Sequence, residues 1–265
     1  MMQQKNREQQ VIESRQTKSR YVLITGGSSG IGLALAKQFA KDGYGIVLAA
    51  SREERLLVAK QEIEQLYGAP THIYAFDLAM QGAAEALYDA IKADGIRIEV
   101  LVNNAGIGTI GATEKITVRE DEALMVLNMM TPVTLTKLFL KEMYEQKHGS
   151  ILNVCSTGAF QPGPYTSTYY ASKSFLLSYT KAVRYEAKEH GVKVCALCPG
   201  TTATDFFARA SAKIPKGAMS AEAVASYGYK KFLKGKEVII PGLSFRLMKL
   251  CPEKIKTAVI AVVKR

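Results

Sequence analysis

The sequence predicts an α/β fold built on a doubly wound, parallel β-sheet with helices on both faces. Short apolar runs alternate with longer segments of helical periodicity, a pattern typical of βαβ units. The apolar runs show little polar alternation, as expected of strands that helices cover on both sides. Right-handed crossovers between parallel strands then distribute the helices over the two faces of the sheet.

The predicted elements follow one another without interruption between residues 21 and 242. We expect strands at 21–25, 46–50, 72–76, 99–102, 150–155, 193–197 and 237–240. We expect helices at 33–41, 53–67, 83–93, 119–147, 169–189 and 221–233. No internal repeat, low-complexity tract or linker separates them in the sequence, so a single domain is predicted for residues 21–242.

Two charged segments flank this domain. Residues 1–20 contain five basic and two acidic side chains, which predicts a disordered extension or a loosely docked helix. Residues 243–265 carry apolar and basic side chains at helical spacing, which predicts a basic amphipathic tail. Residues 230–265 hold ten basic and two acidic side chains, a net of +8 out of +11 for the chain. The positive charge is therefore concentrated at the ends, and no basic–aromatic interleaving favours a nucleic-acid partner.

The composition is that of a globular protein: of 265 residues, 48% are hydrophobic and 22% are charged. Four cysteines in a chain of this length do not form a disulfide framework, which favours a reducing compartment and a cytoplasmic location. The first apolar run, 22–24, is too short for a secretory signal. We also see no uncharged apolar stretch of the roughly 20 residues that a membrane span needs.

A glycine-rich turn follows the first predicted strand and opens the first helix. Its sequence, Thr-Gly-Gly-Ser-Ser-Gly-Ile-Gly at 25–32, lets the backbone approach a pyrophosphate at the helix N-terminus, so we predict dinucleotide binding. The same residues match Gly-x-Ser-x-Gly, the nucleophile turn of α/β-hydrolases, with Ser28 as nucleophile. That alternative needs a histidine base. We disfavour it because the three histidines lie in a predicted strand or near helix ends: His72, His148 and His190.

A tyrosine and a lysine form the second candidate group. Tyr169 and Lys173 are four residues apart, so their side chains share one face of a helix. A lysine cation favours the phenolate, and we expect it to lower the pKa of Tyr169 toward the range of a general acid or base. Ser156, at the end of a buried predicted strand, can donate to a carbonyl oxygen at the edge where ligands of open α/β sheets bind.

Asparagines stand out at two further places. Asn103 and Asn104 precede Ala105 and Gly106 just past the fourth predicted strand, a composition that an ordinary turn would also have. Asn128 lies in an otherwise apolar stretch of a long predicted helix. A buried amide there needs hydrogen-bond partners, as an ordinary core asparagine would.

Together these motifs resemble the short-chain dehydrogenase/reductase family in its single-domain form, over about residues 21–242. Thr-Gly-x-x-x-Gly-Ile-Gly, Asn-Asn-Ala-Gly, a helical Asn, a strand-end Ser, Tyr-x-x-x-Lys and Pro-Gly occur in the order of the family. The resemblance implies a Rossmann-type sheet of about seven strands in the order 3-2-1-4-5-6-7. It also implies hydride transfer between a nicotinamide dinucleotide and a carbonyl or alcohol.

The resemblance also implies roles for individual residues. Tyr169 is expected to exchange the proton while Ser156 orients the carbonyl. Lys173 is expected to bind ribose and tune the tyrosine, and Asn128 to hold a relay water. The residues expected to contact the cofactor are Gly26, Ser28, Ser29, Gly30, Ile31, Ser51, Arg52, Asp77, Leu78, Asn104, Ala105, Gly106, Tyr169, Lys173, Pro199, Gly200, Thr201 and Thr204.

The residues after the second predicted strand favour NADP(H) over NAD(H). NAD-preferring relatives place an acidic residue there for the ribose 2′-hydroxyl, whereas this chain has Ala50 or Ser51. Arg52 follows and can pair with a 2′-phosphate. A solvated position at the helix start, beside Glu53 and Glu54, would also account for this arginine.

We expect a small hydrophobic carbonyl or alcohol substrate, such as a sterol, an acyl chain or an aromatic ketone. The predicted substrate region is mainly apolar and aromatic, and comprises Gly108, Phe160, Gln161, Tyr165 and residues 206–219. Its only cations are Arg209, Lys213 and Lys216.

No metal is expected. Cys195 and Cys198 lie three apart in and just after a predicted strand, so their side chains point to opposite faces. No second cysteine pair or histidine cluster completes a zinc site in the sequence. Buried small residues are the favoured reading of these cysteines and of Cys155.

Two other classes of function compete with the enzyme. A non-catalytic dinucleotide-binding or sensing protein could use the same fold, but the complete set of Ser156, Tyr169 and Lys173 disfavours it. A basic module for RNA or a membrane surface is disfavoured because the charge lies in the tails. The tail from Leu243 is expected to pack on protein, with weak peripheral contact to an anionic membrane as the alternative.

A homodimer or homotetramer is also expected. The two longest predicted helices carry more apolar residues than one core-facing stripe needs, and two-fold pairing would bury the surplus. The residues concerned are Leu135, Leu138, Phe139 and Met143 on the first helix, and Phe175, Leu176, Leu177, Tyr179 and Val183 on the second.

Overall fold

The computed structural model describes residues 20–206, 215, 217–248 and 251–264 of the chain. The predicted N-terminal extension lies outside these residues, except for Arg20. So do Arg209, Lys213 and Lys216 of the predicted substrate region.

The strands form the predicted parallel sheet. They are β1 (Tyr21–Thr25), β2 (Gly45–Ala50), β3 (Thr71–Ala75), β4 (Ile98–Asn103), β5 (Ser150–Val154), β6 (Lys193–Leu197), β7 (Thr202–Ala203), β8 (Met219–Ser220) and β9 (Val238–Ile239). Seven of them lie in the order β3-β2-β1-β4-β5-β6-β9, and every adjacent pair is parallel. The predicted order is confirmed, because β9 is the seventh strand of the prediction. The short strands β7 and β8 pair with each other in a separate ladder.

The helices connect these strands in the predicted places. They are α1 (Gly30–Lys41), α2 (Glu53–Tyr67), α3 (Ala83–Ala93), α4 (Val118–Met125), α5 (Thr131–Gln146), α6 (Ser167–Ala187), α7 (Ala221–Leu233), α8 (Leu243–Met248) and α9 (Glu253–Lys264). Short 3-10 turns lie at Thr113–Lys115, Thr157–Phe160 and Lys188–His190.

The single long helix that we predicted at 119–147 has an irregular middle. A capping box starts it: the Thr117 hydroxyl accepts from the Glu120 N–H, and the Glu120 carboxylate accepts from the Thr117 N–H. A π-helical segment, Val126–Met130, then separates α4 from α5 and holds Asn128. Segments of this kind inside helices occur frequently at functional sites.

Helices cover both faces of the sheet, which explains the apolar strands. On one face α1 and α7 contribute Phe39, Tyr229 and Phe232, whose rings meet edge to face. On the other face the core includes Leu87 of α3 and Phe139 of α5. Burying each such side chain fully is worth about 1.5–3 kcal/mol, so two-sided burial holds the strands in the centre of the fold.

The apolar surplus that we expected on the long helices is smaller than predicted. Most of the residues concerned are buried within the single chain. Helix α5 packs against α3 and the sheet, and α6 packs against the sheet. Leu138 and Tyr179 are half-buried, and only Phe175, with 38% of its surface exposed, remains outside. These residues therefore do not form a second apolar face.

One described helical segment, Val118–Gln146, is long and apolar enough to cross a membrane by length and composition. Half of its most apolar window is buried inside the fold. A helix that packs on the core of a sheet meets the same criterion, so its length is weak evidence for a membrane span.

Candidate active site

A cavity of about 700 Å³ opens at the carboxyl ends of the central strands. The segments that follow β1, β4, β5 and β6 meet there, as expected for ligand sites of doubly wound sheets. Every residue that we predicted to contact the cofactor lines this cavity, from Gly26 in the first turn to Thr204 beyond β6. The sheet topology thus brings together residues that are far apart in the sequence.

The glycine-rich turn forms one end of the cavity and is shaped to hold a pyrophosphate. Gly26 and Gly30 have positive φ angles of 64° and 55°, which side chains other than glycine rarely adopt. A side-chain carbon at Gly32 would overlap the Gly26 carbonyl oxygen. Helix α1 begins here, and the hydroxyl of its N-cap residue, Ser29, makes no capping bond. The first N–H groups of the helix are therefore open to an anion.

Asn104 ties the second turn to the first. Its side-chain amide donates to the carbonyl oxygens of Thr25 and Gly26, at 2.9 and 3.1 Å. The Thr25 hydroxyl accepts from the N–H groups of Asn104 and Ala105, both at 3.0 Å. Asn103 points into the core, where its amide donates to the Asn153 oxygen at 2.9 Å. Asn104, and not Asn103, therefore faces the cavity.

Ser156, Tyr169 and Lys173 all line the cavity and are neighbours of one another. The Ser156 oxygen accepts from the Gly158 N–H at 3.0 Å, and a hydrogen bond also links the Ser156 hydroxyl to the Tyr169 phenol. The Lys173 ammonium lies 5.8 Å from the centre of the Tyr169 ring and donates to the Val154 carbonyl oxygen at 3.0 Å. This arrangement places a proton donor and a hydroxyl side by side with a buried cation below them.

The acidity of Tyr169 differs from the prediction. Burial of the phenol raises the pKa of Tyr169 to about 12, and the hydrogen bond with Ser156 opposes this only in part. Burial also lowers the pKa of Lys173, which its neighbours Cys155 and Cys198 counteract. The expectation that Lys173 would depress the tyrosine pKa is therefore wrong for this state of the protein. Desolvation outweighs the attraction of an ammonium that bonds to a backbone carbonyl instead of the phenol.

Asn128 lies behind the cavity wall rather than on it. Its oxygen accepts from the Ile107 N–H at 3.0 Å, and its amide donates to the Ile107 carbonyl at 2.8 Å and to the Ser172 hydroxyl at 3.1 Å. The Ser172 hydroxyl in turn donates to the Tyr169 carbonyl oxygen at 2.7 Å. Asn128 thus connects the turn after β4 to the helix that carries Tyr169.

The predicted substrate region is only partly correct. Gly108, Gln161 and Phe206 line the cavity, and the Phe206 ring lies 5.3 Å from that of Tyr169. Phe160 and Tyr165 do not line it. Phe160 closes the 3-10 turn after Ser156 and packs on the core around Cys155, while Tyr165 adopts a left-handed backbone at φ 61° in the next loop.

The tail provides wall residues that the sequence analysis missed. Helices α8 and α9 lie over the cavity, as expected of a tail that packs on protein. Their amphipathic spacing was visible in the sequence, but nothing local indicated which surface they would cover. The residues that they contribute to the cavity wall are Phe245, Ile255, Lys256, Val259 and Ile260, and Cys251 lies between the two helices.

The described residues do not support the alternatives of a hydrolase or of a metal site at Cys195 and Cys198. Ser28 lines the cavity, but none of the three histidines does. Cys195 and Cys198 are both buried and belong to different core clusters. Burial raises the pKa of the Cys195 thiol to about 11. Among the residues that the structure describes, no three potential metal ligands lie together.

Comparisons with known proteins agree with this geometry. Residues 20–215 match the family model described as short chain dehydrogenase. The chain is 33% identical over 190 residues to the very-long-chain 3-oxoacyl-CoA reductase of Anas platyrhynchos, a match that covers 69% of this chain and 60% of that protein. It is 32% identical over 203 residues to the 17-beta-hydroxysteroid dehydrogenase type 3 of Mus musculus, covering 75% of this chain and 65% of that protein. The chain thus spans less than two thirds of the length of these relatives.

A solved structure shows the same fold. The short-chain dehydrogenase from Sphingobium yanoikuyae, in complex with NADPH, superposes on this chain with a TM-score of 0.81 at 27% identity. The match covers 91% of this chain and 95% of that one.

Proposed function

The chain belongs to the short-chain dehydrogenase family, and we propose that it transfers a hydride between NADP(H) and the carbonyl or hydroxyl carbon of a hydrophobic ketone or secondary alcohol. The observation that carries the proposal is the convergence of Ser156, Tyr169 and Lys173 on one cavity with an anion-binding helix N-terminus at its end. A dinucleotide bound at that N-terminus would extend toward the phenol.

The chain supplies the groups for proton transfer. A bound nicotinamide supplies or accepts the hydride. Tyr169 donates its phenolic proton to the carbonyl oxygen during reduction and takes it back during oxidation. With a substrate bound, the Ser156 hydroxyl donates to the same oxygen and stabilises the charge that develops there. Lys173 holds the ribose with its ammonium, which lies close to the Gly106 backbone.

Asn128 acts on this reaction through other groups. It holds the turn at Ile107 against the helix that carries Tyr169, through Ser172. We therefore assign it a positioning role. A relay water beside it stays a prediction.

The preference for NADP(H) is supported by the residues after β2. Ser51 and Arg52 line the cavity, and neither of these first two residues after the strand is acidic. Arg52 is exposed at the N-cap position of α2 and has no ion-pair partner among the described residues. Its guanidinium is thus available to a 2′-phosphate.

A hydrophobic substrate is supported by apolar side chains in the cavity wall. The Phe206 ring lies 5.3 Å from that of Tyr169, and Phe245 and Ile260 also line the cavity. The relatives named above are described as an oxoacyl-CoA reductase and a hydroxysteroid dehydrogenase. An acyl chain or a sterol would match such a wall.

A homo-oligomer stays part of the proposal, with a smaller contact than the sequence suggested. On α6, Phe175 is exposed and stacks on Tyr179 at an interplanar angle of 4°, and Tyr185 is 84% exposed. Aromatic side chains of this kind are enriched in interfaces. Sedimentation equilibrium of the wild type and of Phe175→Lys tests it: a monomeric wild type contradicts the proposal.

The experiment that tests the function is a cofactor-depletion assay with NADPH and NADH over ketones, steroids and 3-oxoacyl thioesters. We expect turnover with at least one ketone class and a preference for NADPH. A protein that binds NADPH but turns over none of them would favour the alternative, a dinucleotide-binding or sensing protein.

A further inference from the structure

A buried lysine of the tail lies in the wall of the cavity. Lys256 of α9 is 9% exposed and lines the same cavity as Tyr169. Its ammonium donates to the Phe160 carbonyl oxygen at 3.1 Å. Lysine is almost never buried to this extent unless its charge is paired.

The charge of Lys256 has no counterpart in the described part of the chain. No carboxylate there lies within 4.0 Å of the ammonium, and the Phe160 carbonyl is its one hydrogen-bond acceptor. An ammonium has three N–H donors, so two are left for another group. A buried cation is costly until an anion or further acceptors satisfy it.

The cavity-lining neighbours of Lys256 on its own helix are apolar, and the exposed carboxylate of Glu253, one turn earlier, does not lie within 4.0 Å of the ammonium. Ile255, Val259 and Ile260 share its helix and line the cavity with it. The acidic side chains in the wall are Asp77, placed with the cofactor-binding residues, and Asp205, which pairs with Arg55 at 2.5 Å. Neither pairs with Lys256. A point charge among these apolar side chains suits a single negative charge on an otherwise apolar molecule.

The position of this charge relative to the reacting carbonyl follows from the backbone. Phe160 ends the 3-10 turn that begins after Ser156. Four residues at a rise of about 2 Å each place the Phe160 end of the turn about 8 Å from Ser156. A group that reaches Lys256 is therefore several bonds away from a carbonyl held by Ser156 and Tyr169.

We propose that Lys256 binds a carboxylate at the far end of the substrate, so that the preferred substrate is a hydrophobic keto acid or hydroxy acid. The proposal rests on the proposed function and names its substrate class. The carboxylate replaces water around a buried ammonium and adds a charge-assisted hydrogen bond. The group is remote from the reacting carbon, so the contact acts on binding rather than on proton transfer.

The test compares keto acids with their methyl esters. A series of ω-oxo-ω-phenylalkanoic acids of increasing chain length varies the distance between ketone and carboxylate, and each ester keeps the skeleton while removing the charge. We expect wild-type kcat/KM to favour the acid over its ester at one chain length, by about ten- to a hundredfold, mainly through KM.

A pair of variants on the same helix separates recognition from folding. Lys256→Met keeps the length and apolar stem but removes the charge, and Lys254→Met removes an exposed charge two residues away. We expect Lys256→Met to abolish the preference for the acid and to leave the kcat/KM of the ester within about threefold, since the apolar wall is kept. Lys254→Met should behave as the wild type with both compounds.

Equal binding or turnover of acid and ester by the wild type at every chain length would overturn the carboxylate site. An equal loss of kcat/KM for acid and ester in Lys256→Met would also overturn it, because Lys256 would then only hold the tail in place. Equilibrium binding of the acids and esters to the NADPH-loaded protein gives the same comparison without turnover. Failure of all ketones to react, with acid-selective binding retained, would instead reject the proposed function and keep the site.

Discussion

The aromatic ring of Phe245 lies directly over Gly200, so closely that a side-chain carbon at Gly200 would overlap the ring. Gly200 belongs to the loop after β6 that lines the cofactor end of the cavity, and Phe245 belongs to α8 of the tail. A residue predicted to contact the cofactor is thus in direct contact with the segment that covers the cavity. The position of the tail and the shape of this loop are therefore coupled.

Gly200→Ala is expected to displace Phe245 and loosen the tail. Loss of an aromatic contact worth about 1.5–3 kcal/mol should raise the equilibrium constant for local opening of α8 and α9 by about ten- to a hundredfold. Hydrogen exchange of residues 243–264 measures this opening. Gly111→Ala is the control, because a side-chain carbon there meets only Ile116 at an ordinary distance of 3.6 Å. Unchanged exchange in Gly200→Ala would show that the tail is held elsewhere.

Tyr169→Phe is expected to lower turnover by about 10²–10⁴-fold, because it removes the proton donor. NADPH binding should change little, since Lys173 and the glycine-rich turn are untouched. The adjacent Tyr170→Phe is a matched control, because Tyr170 also lines the cavity and loses the same hydroxyl. Steady-state kinetics and fluorescence titration with NADPH give the two readouts. Turnover above about one per cent of the wild type in Tyr169→Phe would contradict its role as general acid.

The ionisation of Tyr169 provides a direct test of its buried environment. Burial raises its pKa to about 12, so the neutral phenol is the form present in the free protein below that pH. Ultraviolet difference titration of the wild type against Tyr169→Phe should show no phenolate from this residue up to about pH 10, the ordinary tyrosine pKa. Ionisation of Tyr169 at a lower pH would mean that the charge of Lys173 affects its pKa more strongly than burial does. In the proposed reduction, the neutral phenol is the form that donates a proton.

Arg52→Ala is expected to raise KM for NADPH by about ten- to a hundredfold and to leave NADH kinetics unchanged. The reason is that only NADPH carries the 2′-phosphate that the guanidinium can pair with. Lys60→Ala, on the same helix and partly exposed, controls for a general loss of positive charge. An equal rise of KM for both cofactors would indicate that Arg52 stabilises the first turn of α2 instead of binding the 2′-phosphate.

Asn128→Ala is expected to lower the free energy of unfolding by about 1–3 kcal/mol, because the Ile107 N–H and carbonyl lose their buried partner. Urea denaturation measures the change. Met130→Ala, in the same π-helical segment but 58% exposed, should stay within about 0.5 kcal/mol of the wild type. A change in Asn128→Ala as small as that of the control would mean that water replaces the lost partner.

The sequence was a good guide wherever a pattern was local. Strand β2 was predicted at 46–50 and spans Gly45–Ala50, because a strand covered on both faces is an uninterrupted apolar run. Helix α1 begins at Gly30, three residues before the predicted start at 33, since two of its first three residues are glycines, which have a low helix propensity. The π-helical segment around Asn128 was not predicted, because nothing in five apolar or amide residues distinguishes it from an α-helix.

The sequence by itself determined the order of strands and helices and the motifs at their ends, because periodicity and spacing are properties of neighbouring residues. It also placed Ser156 and Arg52 just after strands and Tyr169 four residues before Lys173 on one helix, and their roles in the reaction are proposals. Only the tertiary structure decided that Lys256 and Phe245 of the tail line the cavity. Burial depends on residues that are distant in the chain, and it raises the pKa of Tyr169 rather than lowering it. Desolvation and long-range docking depend on the whole fold, so no local pattern can carry them.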